Sequence, residues 1–152
     1  MGGLYLEDVK PGDRFRSDAY VVTETAIIDF AQQFDPQPFH LDCDVAERSV
    51  FEGLAASGWH TAAIAMRLMM TGPMQFVGGA IGLGVDELRW PVALRPGDTV
   101  QLVTEISEVR ASRSKPRHGI IRISNLMRNQ HGEVVLSYRA NAMVQARQVN
   151  ES

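Results

Sequence analysis

The run Gly58-Trp-His-Thr-Ala-Ala-Ile-Ala-Met-Arg-Leu-Met-Met70 decides the fold, because only His60, Thr61 and Arg67 interrupt an otherwise apolar or small-residue segment. A helix that is apolar all round is predicted to be buried all round. A helix of this length spans about 20 Å, enough to cross a small domain. Ala62, Ala63 and Ala65 let strands approach closely, while Met66, Met69 and Met70 fill irregular space. Ser57 is a good N-cap. Gly58 beside it admits a ligand to the backbone, so the N–H groups of the first turn face whatever docks there. Thr71-Gly-Pro-Met74 stops the helix, since glycine suits the C′ position and proline cannot continue. His60, the lone histidine on this helix, reads as a hydrogen-bonded core or rim residue.

Downstream, four passes have β character: Ile81 to Leu94, Val100 to Glu108, Ile120 to Arg128 and Glu133 to Gln145. Turn sequences divide them at Arg95-Pro-Gly-Asp98, Ser112-Arg-Ser-Lys-Pro116 and Asn129-Gln-His-Gly132. The last three passes meet across short loops, which predicts an antiparallel meander. Gly78, Gly79, Gly82 and Gly84 weaken the first pass as an isolated strand but permit a bend or a close approach to the helix.

Upstream, Val9-Lys-Pro-Gly-Asp13 turns the chain into a strand candidate from Arg14 to Thr23, bringing the total to at least five strands. One long helix and such a sheet give a single α+β domain over residues 1–152, with the tail 147–152 free to fray. Thr23 caps a helix whose stripe is Ala26, Ile27, Phe30, Ala31 and Phe34. That helix delivers Asp35 into Phe34-Asp-Pro-Gln-Pro-Phe-His-Leu-Asp42. The two prolines push Asp35 and Gln37 towards extended geometry and predict a stiff loop.

A carboxylate at Asp35 and an imidazole at His40 on such a loop can hold and polarise one water, the equipment of general acid–base chemistry. The alternative is a turn with solvated polar groups. The negative end of the helix dipole and partial burial predict a raised pKa for Asp35. Asp42 caps a short helix that runs through Ala46 to Arg48. No second histidine stands near, and carboxylates are too few for a hard-cation loop, so no metal is expected. Cys43, the only cysteine, excludes an intrachain disulfide and has no basic neighbour to activate it.

The chain has 152 residues, 45% of them hydrophobic and 22% charged, the make-up of one domain with a real core. A net charge of −3 without a dense Lys/Arg run gives no footprint for nucleic acid. One cysteine, no basic n-region and no long apolar run predict a cytoplasmic protein with neither signal peptide nor membrane span.

Asp35-x4-His40 with Asp42, then Gly53-Leu-Ala-Ala-Ser-Gly58-Trp-His-Thr-Ala-Ala63, then Leu88-Arg-Trp-Pro-Val-Ala-Leu-Arg-Pro-Gly-Asp98 stand in the order of the MaoC-like (R)-specific enoyl-CoA hydratases and acyl dehydratases, which the chain resembles. The resemblance implies a hot-dog fold, a long central helix wrapped by a curved antiparallel sheet. It implies reversible hydration of 2-enoyl-CoA thioesters, with Asp35 and His40 catalytic and the backbone amide of Gly58 receiving the thioester oxygen. Coenzyme A is then part of the substrate and no other cofactor is needed. Gln37, Phe39, Ser57, Trp59, Arg95, Lys115 and Arg117 are candidate substrate contacts, with Arg113 a further basic group. Trp59 reads equally as tunnel lining or core packing. The family often has asparagine where this chain has Gln37 and histidine where it has Ser57. Hot-dog domains usually form at least dimers with the site at the interface, so a homodimer is expected. Two rivals share these residues: a hot-dog acyl-CoA thioesterase, with water aimed at C1, and a non-catalytic acyl-thioester-binding subunit.

Overall fold

Thr23 begins the first helix as the spacing requires, its Oγ1 accepting from the Ala26 N–H at 3.1 Å. The computed structural model describes residues 2–147. After a 3-10 turn at Leu6–Asp8 come β1 (Arg14–Arg16), β2 (Tyr20–Val21), α1 (Glu24–Phe34), α2 (Pro38–Leu41), α3 (Cys43–Glu47) and α4 (Gly58–Thr71). The chain then makes β3 (Ile81–Arg89), β4 (Thr99–Ala111), β5 (His118–Arg128) and β6 (Val134–Gln145).

The strands form one antiparallel sheet of six in the order β1-β4-β5-β6-β3, with β2 also paired to β4. The expected meander is β4-β5-β6, with Val103 opposite Leu126 and Leu126 opposite Ser137. Alternation sends Val100, Leu102, Thr104 and Ile106 inward with Ile121, Ile123, Asn125 and Met127, and Leu136, Tyr138, Ala142 and Val144 complete the face. Register shifts interrupt the ladders of β3, β4 and β6, and such bulges bend strands. Helix α4 lies on the inward face, burying Ile64, Ala65, Leu68 and Met69. A long helix wrapped by a curved antiparallel sheet is the hot-dog architecture, in a single α+β domain.

Several expectations need correction. Helix α4 is not buried all round: Trp59 is 61% exposed, Met66 49% and Met70 39%, because one sheet covers one side only. The first strand is split, since the Ser17 Oγ accepts the Leu102 N–H at 2.9 Å where a backbone carbonyl would continue the ladder. The stripe of α1 stops short of Phe34, which is exposed. The helix that Asp42 caps, with Oδ1 taking the N–H groups of Asp44 and Val45, ends at Glu47, one residue short of the expected Arg48. Arg147 does not fray. Its N–H donates to Glu7, its guanidinium pairs with Asp8 at 2.7 Å, and it covers the Tyr5 ring. The rest of the expected tail, 148–152, lies outside the described residues. Among those residues no helix is long and apolar enough to cross a membrane.

His60 is buried and stacks on Phe30 with ring centres 4.8 Å apart, and its Nδ1 has no partner among the described residues. Burial lowers its pKa, so the folded form keeps the ring neutral to lower pH than the unfolded chain does. The sign follows: its contribution is fully present above the unfolded value of about 6.5 and is lost as pH falls through the folded one. Between about pH 7.5 and about pH 5.5 the urea midpoint should fall, and His60→Phe should make that fall shallower.

Candidate active site

Proline chemistry brings the acid and the imidazole together. Helix α1 ends at Asp35, whose N–H still bonds the Ala31 carbonyl at 2.9 Å while its φ of −152° leaves the helix. Pro38 then opens α2 at its first turn, a position that needs no N–H donor. His40 therefore sits on a one-turn helix rather than in the expected irregular loop. Its Nε2 lies 3.3 Å from Asp35 Oδ2, and both side chains are largely buried. On the far side of the ring, Nδ1 stands 2.6 Å from the Ala55 carbonyl oxygen. A carbonyl only accepts, so Nδ1 carries the hydrogen and Nε2 is left for the carboxylate and its surroundings. Phe39 meets the ring edge-on at 4.7 Å.

Asp35 is set by opposed influences. Burial, the largest, pushes its pKa up, but hydrogen bonds from the Ser57 hydroxyl and the Gln37 amide, and then the nearby His40, push it down. The net direction is below the ordinary carboxylate value, which corrects the raised pKa expected from the helix end. The Gln37 contact is short, Nε2 to Oδ1 at 2.6 Å. The acid, held towards its ionised form, and the Nε2 turned to it make a pair that can bind one water and exchange a proton with it.

The pair opens on a cleft of about 490 Å³ whose wall includes Gly58, Trp59, Trp90 and Arg95. The front of α4 thus forms part of the same cleft. No described group accepts a hydrogen bond from the Gly58 N–H. A Cβ on Gly58 would fall 2.6 Å from Trp90 Cε2, so glycine stands here to admit the indole as well as to bare the amide. Trp59 crosses Trp90 edge-on at 5.4 Å and also lines a second, apolar cavity of about 360 Å³ with Met66, Met69, Met70 and Met74. A further cleft, about 610 Å³, lies among Arg14, Arg16, Arg128 and Arg139 and does not include the acid–imidazole pair.

The other candidates sort as follows. Ser57 is fully buried, its oxygen accepting the Trp59 N–H while its hydroxyl serves Asp35. Ser57 and Gln37 therefore hold the acid. Arg95 lines the cleft, but its guanidinium donates to the carbonyls of Phe51, Gly53 and Leu54 and is engaged by the protein itself. Phe39 packs against His40 and is not in the cleft wall, and exposed Lys115 and Arg117 stand beyond β4 and ahead of β5, also outside it. Sequence reasoning missed Trp90, although it stood in the quoted 88–98 block. It also missed the Ala55 carbonyl, for which no side chain could signal. Among the described residues no group of three or more metal-ligating side chains gathers.

A hot-dog domain with an acid–imidazole pair beside the first turn of its central helix belongs to the hydratase and dehydratase class. More narrowly, the MaoC like domain family matches residues 8–126, and the chain is a member of that family. It is similar to the MaoC-like dehydratase from Rhodospirillum rubrum, at 47% identity and a TM-score of 0.91, covering 97% of this chain and 100% of that one. The protein YdeM of Bacillus subtilis (strain 168) is 28% identical over 74% of this chain and 79% of its own. The R-hydratase PhaJ1 from Pseudomonas aeruginosa shares the fold, with a TM-score of 0.76 at 23% identity over 99% of this chain and 92% of that one.

The hydrogen-bond account of Asp35 makes a direct prediction. Removing a donor by Ser57→Ala or Gln37→Ala should raise the Asp35 pKa in an NMR titration of the carboxyl carbon. An unchanged titration in both variants would show that neither donor holds the acid down.

Proposed function

We propose that this chain catalyses the reversible hydration of 2-enoyl thioesters to (R)-3-hydroxyacyl thioesters, with coenzyme A as the carrier. The observation that carries the reading is the 3.3 Å approach of His40 Nε2 to Asp35 Oδ2 in a cleft that also contains Gly58. A water held by the pair gives up a proton to it as the water oxygen bonds to C3. The C2–C3 π electrons move into an enolate whose oxygen takes the Gly58 N–H, and the proton then goes to C2. Donors preorganised at the oxygen lower the barrier because charge builds there only during reaction. The methionine-lined cavity on the other side of Trp59 suits an apolar acyl tail.

Conversion of crotonyl-CoA with loss of enoyl absorbance and no thiol release tests the reaction and separates it from thioester hydrolysis and from simple binding. Asp35→Asn and His40→Ala should each lower that rate by roughly a hundredfold or more with the fold retained. Near-full activity in either variant would remove that residue from the mechanism.

Two copies complete the proposed protein. Among the described residues β3 pairs only with β6, and Ile81, Leu83 and Val85 on it are more than half exposed, next to the bare side of α4. An unpaired, apolar edge is a site for a further strand, and a second β3 supplies the same chemistry in return. Leu83→Lys should therefore give a monomer in sedimentation analysis with unchanged far-UV circular dichroism. A dimer that survives the change would have to use another surface.

A further inference from the structure

We infer that Arg95 is a positioning residue for His40, acting through the 51–55 loop, and that it does not serve as a contact for the carrier's phosphates. Its backbone is fixed in the Arg95-Pro-Gly-Asp98 turn. The Arg95 N–H donates to Asp98 Oδ2 at 2.8 Å, the Asp98 N–H returns to the Arg95 carbonyl at 3.1 Å, and Gln130 donates to the other Asp98 oxygen at 2.9 Å. From this anchor the guanidinium reaches across more than forty residues of sequence. Nη1 donates to the Gly53 carbonyl at 2.8 Å and to that of Leu54 at 3.3 Å, while Nη2 donates to the carbonyl of Phe51. A planar fork spans several acceptors in a way that a single ammonium does not.

The loop it grips is one that does not hold its own shape. Glu52 has φ 56° and Gly53 φ 156°, two consecutive residues in a region that side chains disfavour. Such backbone persists where its surroundings over-determine it. A Cβ on Gly53 would lie 3.3 Å from Arg95 Nη1, so the glycine also makes room for the guanidinium. The next residue after the gripped carbonyls is Ala55, whose own carbonyl receives His40 Nδ1–H at 2.6 Å. Fixing that carbonyl fixes a hydrogen on Nδ1, and so turns Nε2 towards Asp35. Three of the five N–H donors of Arg95 are spent on the loop, and the loop carries the acceptor on which the imidazole depends.

This inference rests on the hydratase reading for its kinetic arm alone. The test uses the full chain with Arg95→Met, Arg95→Ala, Arg95→Lys and Gly53→Ala, all checked for folding by circular dichroism. In the unaltered protein the ¹⁵N shifts of the His40 ring should report the hydrogen on Nδ1. In Arg95→Met that preference should be lost. On crotonyl-CoA, Arg95→Met and Arg95→Lys should both lose about tenfold or more in kcat, with KM changed far less, because a misplaced base slows the chemistry without weakening capture. Gly53→Ala should move the ring shifts in the same direction, and free guanidinium should restore part of the rate in Arg95→Ala. An unchanged His40 tautomer in folded Arg95→Met overturns the inference, as does a pure KM effect that lysine repairs, which is the signature of a phosphate contact. Should the unaltered protein hydrate no enoyl thioester, the functional reading fails while the ring shifts still decide the role of Arg95.

Discussion

One helix resting on one sheet is the constraint from which the rest of this structure follows. Ile64, Ala65, Leu68 and Met69 of α4 meet the inward side chains of β4, β5 and β6, and among the described residues no helix or strand covers Trp59, Met66 and Met70 on the other side. That contact, together with the stacking of His60 on Phe30 of α1, fixes the position of the first turn of α4, and with it Ser57 and Gly58. It also leaves Trp59, Met66 and Met70 bare beside the outer edge of β3. The site and the exposed apolar surface are thus two consequences of the same packing. The amide end of the helix is brought to Asp35, while the uncovered flank awaits another surface.

Around the acid–imidazole pair, short polar contacts replace solvent. Burial alone would favour a neutral Asp35, yet Ser57 and Gln37 donate to it and keep it ionised. His40 is held from behind by the Ala55 carbonyl and from the side by Phe39. Both partners of the pair are therefore supported by groups that do not themselves face the cleft. This division between groups that hold and groups that face outward explains why Ser57, Gln37 and Phe39, all plausible substrate contacts from their place in the chain, are absent from the cleft wall.

Much of this was legible in the sequence, for particular reasons. Thr23 and Asp42 were readable as caps because capping is local, a side-chain oxygen meeting an N–H two or three residues on. The β4-β5-β6 meander was readable because alternation of period two is written along each strand and short turns join them. The split between β1 and β2 was not readable, since it depends on Ser17 meeting Leu102, far along the chain. The reach of the Arg95 side chain was not readable for the same reason, since the carbonyls of Phe51, Gly53 and Leu54 stand more than forty residues away along the chain.

The sequence by itself determined most of the helices and strands, because local propensity, periodicity and proline stiffness act over a few residues at a time. The hot-dog fold and the two residues of the pair were legible through the resemblance of three blocks to a known family. Tertiary structure alone decided the direction of the Asp35 shift, the hydrogen on His40 Nδ1, the burial of one side of α4 and the seat of Trp90 over Gly58. Each of those depends on atoms that only folding brings within a few ångströms. Electrostatics and packing fall off steeply with distance in space and take no account of separation along the chain.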